Sequence, residues 1–129
     1  MNMKGESKMS ISHERIVEAC RPILEEVGFH DAKTRYPRRF ITGYQLWFWL
    51  LDRNDAICDE LRNECGDYVG KDSGAEKPDG PVRRISDALG HCLDDIETQY
   101  IDTRHLQFNG SKPIIPSSDG DCGLFRLKK

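Results

Sequence analysis

No stretch of this chain is apolar for long enough to enter a bilayer. The longest run, Leu46 to Leu51, has six residues, against the roughly 20 that a spanning helix needs. No two cysteines form C-x-x-C, and none of the histidines sits in H-E-x-x-H. Ser73, in "GKDSG", lacks the flanking glycines of a nucleophile elbow. The segment Gly66 to Asp72, "GDYVGKD", resembles a phosphate loop. It has one residue too few between its glycines, and Asp72 stands where a hydroxyl should hold magnesium. These gaps remove the enzyme classes with distinctive spacing and lead to the expectation of a non-enzymatic protein without a cofactor. A basic excess is missing too. Lysine and arginine number 19 against 22 acids, for a net charge of -3. Any nucleic-acid contact must then come from local patches rather than a global field.

What is present fits one well-solvated domain. The chain has 129 residues, 37% of them hydrophobic and 32% charged. A chain of this length can bury a core without staples. Its five cysteines are odd in number and scattered, and residues 1–10 are polar, without the apolar stretch of a secretory signal. The expectation is free thiols in a reducing, cytoplasmic setting.

Residues 1–10 read as a disordered tail and 11–129 as a single domain. From Ser12 to Val27 the apolar positions Ile16, Cys20, Ile23 or Leu24, and Val27 recur at helical spacing. This gives an N-terminal helix over 11–28 that Gly28 stops. Pro22 removes the hydrogen bond to Glu18 and predicts a kink or a break. Residues 29–40 form a basic connector carrying Lys33, Arg35, Arg38 and Arg39.

Thr42 and Gln45 match a capping box, flanked by an Ile41–Leu46 staple, so a helix should run from Thr42 to about Arg53. Tyr44, Leu46, Trp47, Phe48, Trp49, Leu50 and Leu51 cover nearly all its directions, which predicts burial. Asp55 can cap a further helix over Ala56 to Cys65, ended by Gly66. Residues 67–80 read as an exposed loop. Pro81 suits a first helical position, and Val82, Ile85, Leu89 and Cys92 form an amphipathic stripe after it. Beyond residue 96 the pattern becomes strand-like, with Asn109-Gly110 as a hairpin turn, "KPIIP" as a short return strand and "CGLFRLK" as a last strand.

The expected class is therefore α+β, mainly α: a helical bundle with a C-terminal β-hairpin and an extra N-terminal helix. The segments "TGYQLWFWLL", "AICDELRNECG", "PVRRISDALG" and "YIDTRHLQFNG…CGLFRL", in this order over residues 41–129, resemble the winged helix-turn-helix superfamily. The resemblance is to the fold rather than to a particular family. It implies that the helix carrying Arg83, Arg84 and Ser86 enters a major groove and that the wing carries Arg104 and Lys112. It implies double-stranded DNA as partner and a transcriptional or mobile-element regulator as function. Arg38 and Arg39, leading into a helix N-terminus, would add phosphate contacts. The N-terminal helix would pack outside the winged core and build a homodimer.

Two alternatives stand beside this reading. The acidic surface suits a protein–protein adaptor on the same fold. A site joining His91, Cys92, Cys122 and the nearby acids would instead make an enzyme or a metal protein. Against the DNA reading, Arg83 and Arg84 could simply pair with Asp79 or Asp87.

Overall fold

The computed structural model describes residues 11–28, 38–67, 69–70, 80–108, 116 and 121–128. It contains seven elements in chain order: α1 (His13–Gly28), β1 (Ile41–Thr42), α2 (Gly43–Asp52), α3 (Ile57–Cys65), α4 (Gly80–Gly90), β2 (Ile96–Asp102) and β3 (Asp121–Leu127). The fold is α+β and mainly helical, with one antiparallel sheet ordered β1-β3-β2. Among the described residues no helix is long and apolar enough to cross a membrane.

The capping box sets the start of α2. The Gln45 backbone N–H donates to Thr42 Oγ1 at 3.1 Å, and the Thr42 N–H donates to Gln45 Oε1 at 3.0 Å. Thr42 and its neighbour Ile41 also do a second job. They pair with Leu124 and Phe125 of β3, so the chain leaves a strand and enters a helix within one residue. From that anchor α2 sends Tyr44, Leu46, Trp47 and Leu50 into the core, while Phe48, Trp49 and Leu51 are half-buried at its margin. Trp47 is 1% exposed. The Arg53 guanidinium lies over the Trp49 ring at 5.4 Å, which shields the ring's outer face.

α1 is not broken at Pro22, and it does not sit where expected. It is one uninterrupted helix through Pro22. Pro22 is exposed, so the backbone bond it removes lies on the side that water can reach. Nor does α1 sit outside the core. Ile16, Cys20, Ile23 and Leu24 are buried in the same cluster as Trp47, Ile85 and Phe125. A stripe this apolar cannot remain on an outer layer. Its apolar stripe is thus spent on the core of this chain.

α3 begins at Ile57, one residue later than the sequence suggests. The Ile57 N–H donates to Asp55 Oδ1 at 2.9 Å. Gly66 ends the helix with φ 81°, a left-handed conformation suited to glycine. Gly80 opens α4 where a Cβ would stand 2.4 Å from the Cys65 carbonyl oxygen. The absent side chain therefore lets the end of α3 and the start of α4 touch.

β2 pairs along its whole length with β3, from Ile96↔Leu127 to Asp102↔Asp121. The described partner of β2 is thus "DCGLFRL" rather than "KPIIP"; Asn109-Gly110 and residues 112–115 lie outside the described residues, as does the tail 1–10. Ile96 is buried, whereas Gln99, Tyr100, Ile101 and Asp102 are all exposed. A strand packed on one face would alternate. Here the outer half of β2 projects beyond the core into solvent.

Candidate functional site

Adjacent residues on a helix point about 100° apart, and on α4 this separates two neighbouring arginines. Arg84 turns inward and is 15% exposed. Its Nε donates to Glu64 Oε2 on α3 at 2.8 Å, and its Nη2 donates to the backbone carbonyl of Ile11. The Ile11 N–H donates in turn to Glu64 Oε1 at 2.8 Å. Arg84 therefore joins α4, α3 and the chain before α1. Of the two carboxylates that the sequence offered it, Asp87 lies 3.9 Å from Arg84 Nη1, Asp79 lies outside the described residues, and the nearer partner is Glu64.

Arg83 points the other way. It is exposed and makes no ion pair among the described residues. With Ser86, Asp87, Thr98, Tyr100 and Gly123 it lines a groove of about 520 Å³ between α4 and the β2–β3 hairpin. Two glycines shape this groove. At Gly43 a Cβ would stand 2.5 Å from Ser86 Oγ, so α2 supports α4 at close range. At Gly123 a Cβ would stand 2.7 Å from the Phe125 ring, which lies back over the strand and deepens the groove.

The other expected contacts separate into distinct roles. Arg39 is exposed. Arg38 is half-buried, and its Nη1 donates to the Glu25 carbonyl of α1 at 3.4 Å. Arg104 is exposed on the hairpin but folds back on Asp102, to which its Nε donates at 2.9 Å. That bond holds the Asp102 carboxyl below the usual carboxylate range. Neither Arg38, Arg39 nor Arg104 lines the groove with Arg83 and Ser86. Lys112 lies outside the described residues.

Sequence spacing gave no sign of Arg126. Its guanidinium meets Glu97 across the β2–β3 register at 2.8 Å, donates to the Arg38 carbonyl at 3.0 Å and lies over the Phe40 ring at 4.2 Å. It fastens the end of the basic connector to the hairpin. Only the cross-strand register, which depends on loop length, could have revealed it.

The expected partnership of His91 with Cys92 and Cys122 is replaced by another. The Cys92 thiol donates to Asp95 Oδ1 at 3.1 Å, and Cys122 is buried within β3. No disulfide joins any of the five cysteines. His91 instead meets His13, the first residue of α1, with ring centroids 4.6 Å apart in an edge-to-face arrangement. Asp87 lies beside both: His13 Nε2 is 3.8 Å from Asp87 Oδ2, and His91 Nδ1 is 3.6 Å from Asp87 Oδ1. Spacing along the chain gives no hint of His13, because its partners come from α4 across a tertiary contact.

No family model matches the chain, and neither a curated protein nor a solved structure does.

Proposed function

We propose that the protein binds double-stranded DNA as a winged-helix-like regulator of transcription or of a mobile element, acting in a reducing cytoplasmic setting. The observation that carries this reading is Arg83, exposed on α4 with Ser86 beside it, at the mouth of a groove walled by a projecting hairpin. An arginine fork can read a guanine edge or grip a phosphate. The exposed outer half of β2 offers the flap that such a reading requires. Arg39 supplies a second exposed cation. This reading leaves Arg84 out of the contact set, because its guanidinium donates to Glu64 and to the Ile11 carbonyl.

Fluorescence anisotropy with labelled duplexes at low and moderate salt tests this. Binding should weaken with salt, since each neutralised phosphate releases counterions. Arg83→Ala should weaken binding by about 1–3 kcal/mol while leaving the thermal midpoint in place. Absence of binding at low salt, or binding indifferent to Arg83→Ala, rejects the reading.

One observation favours the adaptor alternative. Leu93 and Tyr100 are 69% and 70% exposed, and Ile101 beside Tyr100 is exposed too. Apolar side chains left open on a projecting strand and on the turn before it suit a protein partner. Affinity capture from the native host that returns one protein and no nucleic acid would favour it.

A further inference from the structure

The side chains of His13, Asp87 and His91 each offer a ligand atom, and these atoms all lie within 4.8 Å of one another. We propose that they form a binding site for a divalent transition-metal ion of the zinc class. The site joins the first turn of α1 to the last turn of α4 and stands on the rim of the α4 groove, where Asp87 and His91 are also lining residues.

The donor set carries the argument. Two imidazoles and a carboxylate are nitrogen and oxygen ligands of borderline hardness, which favour zinc and its first-row neighbours over magnesium or calcium. His91 follows α4 directly, and its backbone N–H still donates to the Asp87 carbonyl at 3.3 Å, so the two side chains share a face. His91 Nδ1 lies 2.7 Å from the Asp87 backbone carbonyl oxygen. A carbonyl can only accept, so Nδ1 carries the proton and Nε2 is the bare nitrogen. That is the outer hydrogen bond which usually fixes the tautomer of a metal-ligating histidine.

His13 adds an independent observation. Its Nδ1 is buried and has no hydrogen-bond partner, while the side chain as a whole is 43% exposed. His13 Nε2 faces Asp87 Oδ2 at 3.8 Å, beyond hydrogen-bond reach, with the His91 ring in edge contact, and a cation shared among the three would use these donors. Three protein ligands with solvent access leave at least one position for water. A second groove of about 580 Å³ is lined by His13 and His91 with the acids Glu14, Glu18 and Asp94 and with Arg21, which is paired to Asp95; the Asp87 carboxylate also has Arg84 Nη1 at 3.9 Å, which a bound cation would face.

Zinc chloride titrated calorimetrically into the full chain, stripped of metal and then freed of chelator, tests the proposal. One equivalent should bind. Cobalt(II) in its place should give visible bands without a thiolate charge-transfer band. His13→Ala, His91→Ala and Asp87→Asn should each weaken binding at least about tenfold. In the unaltered protein, zinc should shift the imidazole resonances of His13 and His91 and not those of His30 and His105. This readout needs no variant to fold. Absence of saturable binding, a thiolate band, or binding that survives His13→Ala together with His91→Ala would each overturn the site.

Discussion

Arg84 and Glu64 meet at 2.8 Å across the α3–α4 contact, and the pair is completed by both backbone groups of Ile11. One guanidinium and one carboxylate thus hold three segments whose apolar faces already pack together. Their side chains are only 15% and 24% exposed, so removing one partner leaves the other charge poorly solvated. Arg84→Ala should cost about 1–3 kcal/mol in chemical denaturation. Arg84→Lys should recover only part of this, because an ammonium cannot donate in the same fork. If Arg84→Ala weakened DNA binding at unchanged stability, Arg84 would belong to the contact surface after all.

The same carboxylate gives a pH dependence. Burial pushes Glu64 up, but the Ile11 N–H and the Arg84 guanidinium together outweigh it and hold the carboxyl below its usual range. A carboxyl with a depressed folded pKa contributes stability that is complete above its unfolded value, about 4.3. That contribution is lost as pH falls through the folded value. Asp95 has the same sign, held down first by Arg21 and then by the Cys92 thiol. Stability measured by denaturant titration should therefore fall below about pH 5. Glu64→Gln should lower stability at neutral pH and flatten that acid slope; an unchanged slope would mean that Glu64 does not set it.

Gly80 and Gly90 predict opposite outcomes for one substitution. A Cβ at Gly80 would meet the Cys65 backbone, which cannot swing aside, whereas one at Gly90 would have nothing within 4 Å. Gly80→Ala should destabilise by about 1–3 kcal/mol through forced separation of α3 from α4. Gly90→Ala should be neutral or stabilising by up to about 1 kcal/mol, because it restricts the unfolded chain. Thermal melts of the two variants measure the difference directly.

The Cys20 and Cys65 thiols should be slow to react in the folded protein. Burial pushes Cys20 up to about 12, and burial together with the neighbouring Glu64 pushes Cys65 up to about 11. At neutral pH almost none of either is thiolate, which is the reactive form. Alkylation with detection by peptide mass spectrometry should label Cys20 at the rate of unfolding. Labelling of native Cys20 at the rate of a denatured control would contradict its burial.

Trp47 and Trp49 test the placement of α2. Trp47→Ala should cost about 3–5 kcal/mol, the loss of a fully buried aromatic. Trp49→Ala, at the half-buried margin under Arg53, should cost clearly less in the same denaturant titration.

Much of the helical frame was legible because it rests on local rules. The Thr42–Gln45 capping box, the glycine stop at Gly66 and the stripe Val82–Ile85–Leu89 each involve residues within one or two turns of one another. Spacing about a single axis is enough to state them. The apolar run of α2 predicted a buried Trp47, but the reading of α4 put Arg83 and Arg84 on one outward face, although neighbours on a helix point about 100° apart. Spacing could not say which of the two arginines faced a partner, because that depends on where α3 lies. Tertiary packing settled three further matters: the seating of α1 in the core, the pairing of Ile41 and Thr42 with β3, and the meeting of His13 with Asp87 and His91. In each case the partners are far apart along the chain. Their approach is set by how several apolar faces bury one another at once, and no local pattern encodes that.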